Sequence, residues 1–291
     1  MKRIWLPLFL AIAAASLPGV GRAEEQAKVI RLGMIGLDTS HVIAFTSYLN
    51  NPKNKTGCRV VAGYPGGSPD FPASANRVDK FTKQLRDKYG LEIVDSIEEL
   101  CKKVDGILLE SVDGRPHLKQ AKIVIAAGKP LFVGCDVFGS SSWAEHHPSL
   151  YLYGIHAVEP LFTVMGTGCE TVRRIKTDGV DMAVGVWKGG RIGTFRDPRG
   201  GKTDFTTIIY GKKSMATANP AGYAPLLVEI VKFFKTGKPP VPAEETIEIF
   251  AFMSAADESQ AQGGKPVSLE RLIAKACEEV NERTAKSARK Q

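Results

Sequence analysis

His156-Ala157-Val158-Glu159 sets an imidazole and a carboxylate three positions apart, a spacing at which the acid can hold the ring in one tautomer. An imidazole with a pKa of about 6.5 suits removal of a hydroxyl proton at neutral pH, which makes the two a candidate catalytic pair. Pro160 follows at once, so the pair is expected at or just before a helix start. A helix running through His156 would lose its backbone bond from position 160. The same residues also read as a packed histidine with a local hydrogen bond. Tyr153 and His147 are their chain neighbours.

A second constellation is Gly36-Leu37-Asp38-Thr39-Ser40-His41, directly after an apolar run. A strand-to-helix turn of this kind can seat a dinucleotide pyrophosphate on backbone N–H groups, with glycines allowing close approach. Gly36, Thr39, Ser40 and His41 are the candidate cofactor contacts. Asp38 and His41 replace the second and third glycines of that fingerprint, and a carboxylate at the second position repels phosphate. Alternatively, Asp38, Thr39 or Ser40 only caps the helix. The chain that follows the next strand, Gly63-Tyr64-Pro65-Gly66-Gly67, has no acid to hold ribose hydroxyls. The histidines (41, 146, 147, 156) with Asp38 and Glu159 show no recognised ligand spacing, so no metal is expected. Trp143 and Trp187 fit either a sugar subsite or the core. Cys58, Cys101, Cys135, Cys169 and Cys277 include no C-x-x-C pair and read as small buried apolar residues.

Elements that could position these residues follow from periodicity. Short apolar runs alternate with helical patterns from Val29 to Val133, which predicts a five-stranded parallel sheet with helices on both faces. Strands are expected at Val29–Ile35, Arg59–Gly63, Leu91–Val94, Gly106–Glu110 and Leu131–Val133. Helices are expected at Ser40–Leu49, Asn76–Lys88, Ile97–Lys103 (capped by Ser96 with Glu99) and Pro116–Ala127. Beyond Cys135 the rhythm changes. Glu170–Lys176, Asp181–Trp187, Arg191–Phe195 and Phe205–Tyr210 read as one antiparallel sheet with a hairpin at Gly189-Gly190. An apolar face at Leu226, Leu227, Ile230, Val231 and Phe234 predicts a helix stopped by Gly237. Pro242 starts another, Val267-Ser268 begins the last, and the tail from Thr284 is expected to fray. The fold class is therefore α/β, a Rossmann-like parallel sheet domain followed by an α+β domain with an open antiparallel sheet.

Five segments, RLGMIGLDTSH, GILLESVDGRPHLKQAKIVIAAGKPLFV, YGIHAVEPLFTVMG, VGVWKGGRIGTF and PLLVEIVKFFKTGKPPVPAEETIEIFAFMSAADES, resemble the Gfo/Idh/MocA family of oxidoreductases in content and order. The resemblance implies a Rossmann domain, a second domain whose open sheet makes a homo-oligomer contact, and hydride transfer between NAD or NADP and a sugar or polyol. It also implies that His156 lies beside the substrate carbon as general base, with Glu159 standing for the family's aspartate. The family's Glu-Lys-Pro lysine has no counterpart, because Phe132-Val133 runs into Gly134-Cys135-Asp136 and Lys129-Pro130 precedes the strand. Only about twenty residues separate Val133 from His156, where the family has a helix and a sixth strand. The parallel sheet should therefore keep an exposed edge. Two functions follow: an oxidoreductase of ancestral NAD(P) dependence on a sugar-like substrate, or a cofactor-free carbohydrate-binding or structural derivative. Dinucleotide binding is expected to be weak or absent.

Composition sets the outer limits. With 291 residues, 43% apolar and 24% charged, the chain can bury a sizeable core, and neither a polytopic membrane protein nor overall disorder fits. The net charge is +8, of which Lys2, Arg3 and Arg22 contribute three; the remaining +5 is scattered, which argues against nucleic acid. Lys2-Arg3, the apolar stretch Ile4–Leu17 and the small residues before Ala23 form a general secretory signal peptide. The expected organisation is signal peptide 1–23, Rossmann-like domain 24–134 and C-terminal domain 135–291. The mature protein is then periplasmic or secreted, without a membrane span.

Overall fold

The computed structural model describes residues 28–133, 150, 154–198, 206–219 and 222–288. The signal peptide, Cys135, Trp143, His146, His147 and Tyr153 lie outside them. The first half runs β1 (Ile30–Ile35), α1 (Ser40–Leu49), β2 (Cys58–Tyr64), α2 (Pro72–Ala75), α3 (Val78–Tyr89), β3 (Glu92–Ile93), α4 (Ile97–Lys103), β4 (Gly106–Leu109), α5 (His117–Ala126) and β5 (Leu131–Val133). These strands form the expected five-stranded parallel sheet in the order β3-β2-β1-β4-β5. The chain leaves β1 in one direction and returns at β4 in the other, so the topological switch point lies between them. Among the described residues β5 is a sheet edge, with Val133 exposed.

The helix expected over Asn76–Lys88 is α3, starting two residues later, and a short helix not expected from the sequence, α2, precedes it. Pro72 opens α2, which ends at Asn76, and α3 starts at Val78 with Asp79 in its first turn. Ser96 caps α4 as its spacing predicts, accepting from the Glu99 amide at 3.1 Å. Pro116 sits one position outside α5 rather than opening it.

The second half runs α6 (Ile155–Met165), β6 (Cys169–Lys176), β7 (Val180–Trp187), β8 (Arg191–Pro198), β9 (Thr207–Tyr210), β10 (Met215–Ala218), α7 (Tyr223–Thr236), α8 (Ala243–Ala261), β11 (Val267–Ser268) and α9 (Leu269–Ala288). The antiparallel sheet is β11-β6-β7-β8, and the Gly189-Gly190 turn joins β7 to β8 with both glycines at positive φ. Three expectations are corrected. The strand ending at Tyr210 does not join this sheet; β9 pairs with β10 in a hairpin of its own, because Met215–Ala218 supplies a partner the periodicity hid. Val267 and Ser268 do not start a helix but pair with β6 as β11. The final helix does not fray at Thr284, and i,i+4 pairs Glu279–Arg283 and Glu282–Lys286 line its last turns.

Three apolar clusters hold the fold. Leu100, Cys101, Ile107 and Val124 pack one face of the parallel sheet against α4 and α5. The other face is covered by Phe45 of α1, Leu85 of α3, and Leu227 and Ile230 of α7. A helix from the far end of the chain thus completes the first core. The third cluster fills the space between the antiparallel sheet and α6, α8 and α9. Trp187 is buried there against Phe162 and Phe252 at 5.5 and 6.0 Å between centroids, and its indole N–H donates to Gly166 O at 2.8 Å. Trp187 therefore belongs to the core, not to a sugar subsite. Cys58, Cys101 and Cys169 are buried as expected, and burial together with the Glu248 charge pushes the Cys169 thiol up to about 12. Cys277 is the exception, exposed on α9.

Behind the antiparallel sheet lies an ionic cluster. The Arg174 guanidinium, 1% exposed, donates to both carboxylate oxygens of Asp181 on β7 and to Asp257 on α8. Its backbone amide donates to Ser259 Oγ at 3.0 Å, and that hydroxyl donates to Lys265 O at 2.7 Å. Sheet, helix and the turn before β11 are joined at one point.

Candidate functional site

At the carboxyl ends of β1, β2 and β4 three loops meet, and the side chains between them are polar yet buried: Asp38, Thr39, His41, Ser74, Glu110, Ser111 and Asp113. Buried polar groups survive only when their bonds are made, and here the bonds run from loop to loop. Asp38 accepts from the Ser74 hydroxyl at 2.6 Å and the Val112 amide at 3.0 Å, bracing the β1 turn against both neighbours. Burial raises its pKa despite those two bonds. Thr39 is the helix cap, its hydroxyl accepting from the His41 amide at 3.0 Å, and Ser40 is the exposed first residue of α1.

His41 is the centre of the cluster. Its Nδ1 faces Glu110 Oε2 at 3.3 Å, with both side chains buried. The ring stacks on Phe45 at 5.1 Å and meets the edge of Tyr223 at 4.9 Å. His41 stands just after β1 and Glu110 just after β4, so the pair spans the switch point, where open α/β sheets bind their ligands. With Nδ1 donating to the carboxylate, Nε2 is the basic nitrogen.

Gly36 has φ +81°, and a Cβ on it would lie 2.3 Å from Ser111 Cα. Ser111 of the β4 loop therefore packs directly on this turn. Two of the turn's amides are engaged: the Gly36 amide donates to Tyr64 O at 3.0 Å and the Leu37 amide to Pro65 O at 2.8 Å. Asp38 does not stand out as a repelling charge, as the sequence suggested; it is turned inward as a brace. The residues at this turn do not fit a dinucleotide.

His156 and Glu159 lie elsewhere, on α6, which packs against α8 and β8 in the second domain's layer. The helix starts at Ile155, so His156 stands in its first turn as expected at a helix start, but Pro160 lies inside the helix rather than at its boundary. Gly154 takes the cap position, and its carbonyl accepts from Ala157 and Val158 at 3.0 and 3.1 Å, which sets the first turn before the proline intervenes. His156 is half-buried and Glu159 exposed. No cluster of three or more potential metal ligands occurs among the described residues.

No family profile and no curated protein matches the chain. Solved structures do. The chain aligns with the yvaA protein of Bacillus subtilis over 82% of its own length and 99% of that chain, at a TM-score of 0.52 and 10% identity. It aligns with UDP-N-acetylglucosamine 3-dehydrogenase GnnA of Acidithiobacillus ferrooxidans over 79% and 98%, at a TM-score of 0.50 and 12% identity. The likeness is one of fold: a parallel, Rossmann-like sheet with helices and a separate antiparallel sheet. Of the four residues expected to contact a cofactor, Gly36 packs on Ser111, Thr39 caps α1, His41 pairs with Glu110, and Ser40 is exposed. Glu110, Ser74 and Tyr223 were missed by sequence reasoning. Glu110 had one signal, an acid closing the apolar strand Gly106-Ile107-Leu108-Leu109.

The Asp38 brace gives a measurable pH dependence. Its folded pKa is raised, so its contribution to stability falls as pH rises from the unfolded value of about 3.9 through the folded one. Asn at this position keeps an acceptor for Val112 and removes the buried charge. Asp38→Asn should therefore gain in melting temperature relative to the parent as pH goes from about 4 to about 7, followed by thermal melts across that range. A difference that stays flat or shrinks with pH would mean the carboxylate is not desolvated.

Proposed function

We propose that this chain is an exported derivative of the Gfo/Idh/MocA oxidoreductase fold that has given up the dinucleotide and keeps a switch-point site for a small, sugar-like ligand. The observation that carries this is the buried His41–Glu110 pair, where an imidazole and a carboxylate are held out of water at the place such sheets bind ligands. Glu110 orients the ring, Phe45 and Tyr223 fix its plane, and the basic nitrogen serves to accept a hydroxyl proton from a ligand. His156 and Glu159 are the second candidate pair and act from the other domain. A homo-oligomer through the antiparallel sheet fits Ile175 and Ile192, exposed on its strands. Export rests on the Lys2-to-Ala23 segment.

The competing reading is an active NAD(P)-dependent oxidoreductase, favoured by the shared fold with a UDP-N-acetylglucosamine 3-dehydrogenase. The engaged amides of Gly36 and Leu37 and the backbone packed on Gly36 stand against it. Losing those phosphate bonds costs on the order of 10²-fold or more in affinity. Calorimetry with NAD and with NADP separates the readings: the expected result is no binding at micromolar concentrations. A dissociation constant of roughly ten micromolar or tighter for either would restore the dehydrogenase. Native mass spectrometry of the purified protein against neutral sugars and uronic acids then tests the ligand class.

A further inference from the structure

The segment from Pro65 to Phe71 crosses the top of the β1 turn. Its near end is bonded by Gly36 and Leu37, and Gly66 lies against Gly36. Gly66 and Gly67 have φ of +61° and +105°, conformations that side chains avoid, so the chain can reverse there. The far end is tied differently. The Ser68 amide donates to Ser74 Oγ at 2.8 Å, and the Ser68 hydroxyl bonds Asp113. Arg115 then forks between two carboxylates, donating to Asp70 at 2.7 and 2.8 Å and to Asp113 at 2.7 to 3.0 Å.

The two halves of that fork are unequal. The Asp113 side chain is 2% exposed and Asp70 is 58% exposed. Burial opposes the charge on Asp113, yet Arg115 and Ser68 hold its carboxyl below the usual range. The inner half is thus a fixed post. The outer half is a solvent-screened pair that opens easily and weakens with salt.

We propose that residues 65–71 form a strap across the switch-point crevice, latched at its far end by the Asp70–Arg115 pair on the Asp113 post and hinged at Gly66-Gly67. Its role in admitting a ligand rests on the site reading given above; the latch itself does not. In the latched state the strap closes the loops over Asp38. In the open state the Ser68 amide loses its acceptor, Ser74 Oγ, while the Leu37–Pro65 bond, on the near side of the hinge, is kept.

Hydrogen exchange on the ligand-free full chain tests this. Arg115→Gln removes both halves of the fork, and Asp70→Asn removes only the outer half while leaving the post. Both variants should speed exchange at Ser68 by about tenfold or more, with Leu37 and the β1 amides from Leu32 to Ile35 unchanged. The parent in concentrated salt should move the same way. A rate within about twofold of the parent at the Ser68 amide in Asp70→Asn, or equal acceleration throughout β1, would overturn the latch. Opening without any sugar bound in mass spectrometry would uphold the latch and sink the site reading.

Discussion

Arg174→Ala should unfold the second domain's layer or leave it barely stable. The guanidinium is the shared partner of Asp181 and Asp257, and Asp181 is almost wholly buried behind the sheet. Removing the cation takes away the charge that offsets the buried Asp181 carboxylate, with Asp257 nearby. Breaking a buried ion pair in this way costs about 3–5 kcal/mol, a large share of a typical domain's stability of about 5–15 kcal/mol. The lost guanidinium volume adds a cavity between β6, β7 and α8. Urea unfolding followed by tryptophan fluorescence reports this directly, because Trp187 lies in the adjoining core. Asp257→Asn, which keeps an acceptor at a partly exposed position, should cost far less. Comparable losses for the two variants would show that burial of Asp181 is not what sets the cost.

Gly36→Ala should be as damaging to the first domain. In a dinucleotide-binding turn the first glycine serves the tight turn after the strand. Here an added methyl group meets Ser111 backbone at 2.3 Å, and the residue must also hold φ +81°. The conformational penalty is roughly 1–2 kcal/mol and the overpacking a further 1–3 kcal/mol. The β4 loop must move, taking with it the Val112 amide on Asp38. A fall in the thermal midpoint of the whole chain is the expected result. A variant that melts like the parent would mean that Ser111 yields freely and that the turn has space to spare.

Much of this architecture can be read from the chain. The parallel strands announce themselves because each is an apolar run bounded by turn residues, and α1 and α4 carry their own caps at Thr39 and Ser96. What escapes is whatever depends on a partner distant in sequence. Val267-Ser268 is too short to show a strand period and becomes one only by pairing with β6. Asp38 looks like a misplaced charge until Ser74 and Val112 are brought to it from two other loops. His41 looks like a lost glycine until Glu110, 69 positions away, closes on it. His156–Glu159 shows the converse. Local spacing made that pair conspicuous, while Pro160, read as a helix boundary, lies within α6.

The placement of α7 has a consequence for how the chain is made. Leu227 and Ile230 are among the buried residues of the first sheet's core, and a Cβ on Gly106 would collide with Phe234 at 2.4 Å. The first half therefore leaves the ribosome with part of one face of its sheet uncovered, and must wait for about a hundred more residues before that face is sealed. The closure entropy of so long a loop is met late, and the two halves then stabilise in one cooperative step. A core that cannot close until the last quarter of the chain has been synthesised leaves part of its apolar surface exposed until then.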